Sequence, residues 1–183
     1  MYKRAIGTLF FAICLSVVCY GQENVHYSSK DSLNNAVVCD RIHVESKSSN
    51  ALSKRDFAAA EPYFLRSYNS KEDFAAVQLG KRNGSKVFLY IKIFRFNTCI
   101  KNNEALEVTL ENGITYFIKN KMSVNCKGDL VVELNNSDIK ELVTQPISSF
   151  KVLSFQKDFE FHLNSETATK IRQDLECLAE YKF

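Results

Sequence analysis

The sequence predicts an α+β fold, an antiparallel β-sheet of about six strands with a C-terminal helix packed on one face. Three observations predict it. From Gly80 onward, short runs of β-branched and aromatic residues alternate with polar ones; Asn83-Gly84 and Asn112-Gly113 stand between such runs; and the last stretch, SETATKIRQDLECLAEY, spaces its apolar residues for a helix.

Residues 1–21 divide as a secretory signal does, with Lys3 and Arg4 ahead of an apolar stretch and a polar turn into Gln22. The stretch from Ala5 to Val18 falls short of the ~20 residues a membrane-spanning helix needs. Gly21 and Cys19 supply the small residues that cleavage after Gly21 requires. A lipid anchor on Cys19 would want a small residue in place of the bulky Val18, so it is the lesser alternative. Residues 22–36, polar and aperiodic, read as a flexible lead-in. Residues 37–183 then form a single α+β domain, long enough for a core of its own.

VVCDRIHVE (37–45) reads as the first strand and SKSSN (46–50) as a loop. Between Ala51 and Lys81 the pattern is mixed. The alanines of NALSKRDFAAAEPYF favour a helix that Pro62 would stop, and SKEDFAAVQLG has a capping-box spacing from Ser70 to Asp73 and also the alternation of a strand. VFLYIKIFRF (87–96) is apolar on both faces, which predicts a central strand covered on both sides. ALEVTLENGITYFIK is a hairpin about Asn112-Gly113, and DLVVEL (129–134) a further strand. NNSDIKELVTQP is a short helix capped by Asn136 or Ser137 and closed by Pro146. SFKVLSF and FEFHL make a last hairpin. On the final helix Ala168, Ile171, Leu175 and Leu178 share one stripe.

Of the six cysteines, Cys14 and Cys19 belong to the leader; Cys39, Cys99, Cys126 and Cys177 remain, an even number in an exported chain and too widely spaced for a metal knuckle. They read as disulfides. If strands alternate in direction, the loops holding Cys99 and Cys126 fall at one end of the sheet. The last helix brings Cys177 to that end, about 130° around from the apolar stripe at ~100° per residue, where an outer segment with Cys39 would meet it. This favours Cys99 with Cys126 and Cys39 with Cys177, although all three pairings stay open.

Chemistry-bearing motifs are sparse. Gly80, Gly84, Gly113 and Gly128 are scattered and cradle no phosphate, and G-x-S-x-G, H-E-x-x-H and H-x-H are absent. No cofactor or metal is expected. With two of the 24 Lys+Arg in the leader and 21 Asp+Glu, the mature chain is close to neutral, which offers nothing for nucleic acid, and no transmembrane segment follows the leader. Trp is absent and the 14 Phe read as core filling. His26 falls in the lead-in, and His43, near Cys39 and Asp40, reads as structural. Glu160 and His162, two apart on a strand, project together and read as solvated residues of the outer sheet face, with a general base or a surface metal site as the alternative. Tyr63, Phe64 and Tyr68 cluster and either cover the sheet's second face or form a contact patch, while Lys81, Arg82 and Lys86 read as a solvated hairpin tip.

From Ile93 to Leu178 the features run in a set order: a strand into Cys99, the turn ENG, CKG at 126–128, SDIKELVTQP, KVLSF and ECL at 176–178. This order resembles small uncharacterised exported proteins of Gram-negative bacteria. The resemblance covers about half of the mature chain, rests on cysteine and turn positions, and implies a shared fold with no assigned activity. The expectation is a secreted or periplasmic non-catalytic domain that binds a protein or envelope component. The alternatives are a small envelope hydrolase using Glu160 and His162, and a lipid or small-ligand binder with a cavity lined by Phe88, Tyr90 and Phe94.

Overall fold

A computed structural model describes residues 39–49, 53–82, 86–122 and 124–183, with backbone alone for the strand residues among 45–55. The expected leader, the lead-in and the Asn83-Gly84 turn lie outside the described residues. The elements are β1 (Ile42–Ser49), β2 (Ser53–Ala60), β3 (Tyr63–Arg66), β4 (Phe74–Arg82), β5 (Val87–Ile93), β6 (Leu106–Leu110), β7 (Thr115–Ile118), β8 (Asp129–Leu134), α1 (Asn136–Thr144), β9 (Ile147–Val152), β10 (Phe159–His162) and α2 (Ser165–Glu180).

The fold is α+β, with two antiparallel sheets where the alternation of strands had suggested one. Six strands form the first, in the order β1-β2-β4-β5-β8 with β3 also on β4, and four form the second, β10-β9-β6-β7. The split arises because β5 pairs with β8, Val87 opposite Leu134, while the intervening hairpin β6–β7 pairs with β9. Helix α2 packs on β1, β2, β4, β5 and β9. Ala168 of its stripe is buried, and Ile171, Leu175 and Leu178 join the inner faces of both sheets in one core, with Phe150, Phe159 and Phe161 among the largest fully buried side chains.

Local chemistry explains the remaining departures. The alanines at 58–60 are strand, and Ala58 and Ala60 are buried beneath α2, where small side chains let a helix approach a sheet. SKSSN is strand up to Ser49. The Ser70-to-Asp73 spacing caps no helix, because Asp73 is taken up by Arg95 and Lys157 and the chain runs on as β4. Strand β5 is covered on one side only: Val87, Leu89, Ile91 and Ile93 are buried, whereas Phe88 and Tyr90 on the other face are half-buried. At the β6–β7 turn only Gly113 has positive φ, +82°, and its N–H donates to Leu110 at 3.0 Å, so this is a three-residue loop needing one glycine. The cap of α1 is Asn135, one residue earlier than expected, in a reciprocal box with Asp138. Lys81 is not a solvated tip: it is 7% exposed, and its Nζ donates to the carbonyls of Ala179 and Tyr181 at the end of α2. Lys86 pairs with Glu133.

Disulfides join Cys39 to Cys177 and Cys99 to Cys126, the pairing that strand directions favour. Among the described residues no helix is long and apolar enough to cross a membrane.

Candidate functional site

Strand alternation decides where the three aromatic residues of the β3 region go. Tyr63 and Leu65 face inward, Phe64 and Arg66 outward, and Tyr68 lies beyond the strand end. The expected patch of Tyr63, Phe64 and Tyr68 is therefore divided. Tyr63 is buried, whereas Phe64 and Tyr68 are exposed.

Tyr68 meets the other predicted pair instead. Its N–H donates to the carbonyl of Glu160 at 2.7 Å, which ties the end of β3 to β10 and so one sheet to the other. The Tyr68 ring then lies 4.5 Å from the ring of His162, tilted by 36°, and His162 Nε2 is 2.6 Å from Glu160 Oε1. A base, its carboxylate partner and an aromatic platform are thus together. Tyr68 and His162 are exposed and Glu160 half-buried, so the carboxylate–imidazole pair lacks the enclosure that makes an acid–base group effective.

A second cluster centres on the buried Tyr63 and Asp174, and sequence reasoning missed it. The Tyr63 hydroxyl donates to Asp174 Oδ2 at 2.5 Å; Arg41 Nε stands 3.5 Å from the same oxygen, with its guanidinium over the Tyr63 ring. Arg41 also pairs with Glu61 at 2.9 Å, and His43 Nε2 lies 3.5 Å from that carboxylate. Burial raises the Asp174 carboxyl above its ordinary range, outweighing the lowering by Tyr63 and Arg41; burial and the bond to Asp174 raise the Tyr63 phenol. The cluster fastens α2 to β3 and the start of β1 beside the Cys39–Cys177 bridge. The signal was legible: Asp174 stands between Ile171 and Leu178 on the apolar stripe of the last helix, where an acid is expected only with a partner.

A third feature is the outer face of the six-stranded sheet. Registers Arg66↔Phe74, Phe64↔Ala76 and Gln78↔Tyr90 put Phe64, Phe74 and Tyr90 on that face. Phe74 and Phe94 stack with centroids 4.7 Å apart. Phe57 lies over Gly80, where an added Cβ would come within 2.5 Å of its ring, and meets Tyr90 edge-on at 6.2 Å. Just past β5 the chain forms a groove of about 450 Å³, whose lining includes Lys92, Phe94, Arg95, Phe96, Cys126 and Lys127. Phe94 is the member of the expected ligand cavity that lines it; Phe88 and Tyr90 pack on each other farther along the face.

Beneath that end Asp73, 3% exposed, holds Arg95 at 2.9 Å and Lys157. Burial pushes its carboxyl up, but the bonds from Lys157 and Arg95 outweigh this and hold it below the ordinary range. Among the described residues no group of three or more His, Cys, Asp or Glu is placed to hold a metal. Comparison with family models, curated proteins and solved structures finds no match to this chain.

Proposed function

We propose that the chain is an exported, non-catalytic domain that binds a protein of the cell envelope through the outer face of its six-stranded sheet. One observation carries this reading: Phe64 is 70% exposed on that face, and the stacked Phe74 and Phe94 are 43% and 44% exposed. Apolar area left in water forgoes about 25 cal/mol per Å², which a covering partner would recover. The two disulfides support an oxidising compartment, periplasmic, cell-surface or secreted, reached by cleavage near Gly21. The resemblance to exported proteins of Gram-negative bacteria points the same way.

The test places a photo-crosslinking residue at Phe64, Phe74 or Phe94 in turn, and at Thr169 on the exposed side of α2 as control, in the protein exported by living cells. A discrete adduct at the face positions and none at Thr169 supports the reading. Adducts identical at all four positions, or none, would sink it.

The contact between Glu160 and His162 favours a second reading, a small hydrolase with Tyr68 as platform for its substrate. Loss of a measured turnover in both Glu160→Gln and His162→Ala would favour it; turnover unchanged in both would count against it.

A further inference from the structure

The two disulfides differ in their surroundings. Cys39 and Cys177 are each 3% exposed and belong to the core. Cys126 is exposed and Cys99 half-buried, and Cys126 forms part of the wall of the groove past β5. Lys92, Arg95 and Lys127 line that groove, and no carboxylate does. Lys92 and Arg95 are held by Asp129 and Asp73, while Lys127, exposed, adjoins Cys126 in the chain. Thiol–disulfide exchange is an attack by a thiolate anion, so its rate depends on access to one sulfur and on the local field. Access is open at Cys126, where the Lys127 cation adjoins it in the chain, and closed at the core bridge.

We propose that Cys99–Cys126 is a thiol-exchange site, open in the folded protein to a dithiol on a partner protein, with Cys126 as the sulfur attacked. A partner thiolate displaces the Cys99 sulfur and forms a mixed disulfide on Cys126 Sγ; Cys99 leaves as thiolate and takes a proton from water. The partner's second thiol, deprotonated, attacks its own first sulfur and releases Cys126 as thiolate. Two electrons have then passed to this chain, which is reduced to the dithiol, and the partner is oxidised to a disulfide. Phe94 and Phe96, the latter 98% exposed, give the groove apolar walls for side chains flanking the partner's cysteine.

The loop that carries Cys126 is held by more than its sulfur. Gly128 N–H donates to Thr98 at 2.9 Å, Ile93 N–H to Gly128 at 2.9 Å and Ile100 N–H to Asn125 at 3.1 Å. These bonds do not depend on the S–S bond and hold the loop in place when it is cleaved. The inference does not rest on the binding face proposed above.

The test uses the oxidised mature protein in native buffer, with dithiothreitol as the probe, trapping by N-ethylmaleimide at intervals and mapping of labelled peptides. Cys99 and Cys126 are expected to label more than about 100-fold faster than Cys39 and Cys177, which wait for global opening. The faster rate should not change in low urea. Glutathione, a monothiol, should be trapped on Cys126. Lys127→Glu should slow the exchange several-fold at low salt and not at high salt. Equal rates for the two bridges, or a Cys99–Cys126 rate that climbs with urea as unfolding-gated opening does, overturns the proposal; glutathione found on Cys99 overturns the assignment of the attacked sulfur.

Discussion

Removing the two bridges separately should reveal which one holds the fold. The pairs Cys39/Cys177 and Cys99/Cys126 are each replaced by Ala/Ala. The core bridge closes a loop of 138 residues and the other a loop of 27. In the chain-entropy account these lengths correspond to about 5 and about 3.5 kcal/mol at 25 °C. The core pair adds a packing loss, because both of its sulfurs are buried, and deleting a buried atom group costs ~1 kcal/mol where the site does not collapse. With a urea slope of about 2 kcal/mol/M, the midpoint should fall by ~2.5–3 M for Cys39/Cys177 and by ~1.8 M for Cys99/Cys126. The assay is equilibrium unfolding in urea followed by far-UV circular dichroism, on protein whose remaining bridge is confirmed intact by mass. A Cys99/Cys126 variant that loses as much as the Cys39/Cys177 variant would refute the reasoning.

The other expectations concern backbone and charge. Gly128 has φ +75°, and a Cβ there would stand 2.6 Å from the Ile93 carbonyl, so Gly128→Ala should cost about 2 kcal/mol or more in the same urea assay. Asp73, with its folded pKa lowered, contributes stability present above its unfolded value of 3.8 and lost as pH falls through the folded value; Asp73→Asn should flatten that acid limb and be most destabilising at neutral pH. Asp174 has the opposite sign. Its folded pKa is raised, so its contribution is full below 3.8 and is lost as pH rises through the folded value. Asp174→Asn, which keeps an acceptor for the Tyr63 hydroxyl, should therefore gain on the wild type as pH rises above 3.8 toward the folded value, while Asp174→Ala should cost roughly 1–3 kcal/mol by leaving that hydroxyl unpaired. Urea midpoints measured against pH for the three variants check all of this.

Much of the fold from β5 onward was legible because Val87, Leu89 and Ile91, like Leu106, Val108 and Leu110, alternate with half-buried neighbours, and alternation of large side chains marks a face. Residues 51–81 were illegible for the converse reason. Alanine favours a helix in isolation, and only the presence of α2 overhead makes Ala58, Ala60 and Ala75 buried strand positions. The division into two sheets depends on the pairing of β5 with β8 across an intervening hairpin, which no local pattern encodes. The cysteine pairing could still be reasoned out, because a hairpin returns the chain to the end from which it left, whichever sheet receives it. Of the candidate site, Glu160 with His162 followed from their spacing. The arrival of Tyr68 beside them depends on one backbone bond between distant strands.

The buried bridge also fixes how the molecule bears load. Every strand among the described residues lies between Cys39 and Cys177, so the sulfur link closes both sheets into one covalent ring. Tension applied across Cys39 and Cys177 passes through the sulfur link into α2 and bypasses both sheets. A single proteolytic nick in any loop of the ring would open it without parting the pieces. Two cuts would be needed to release a fragment.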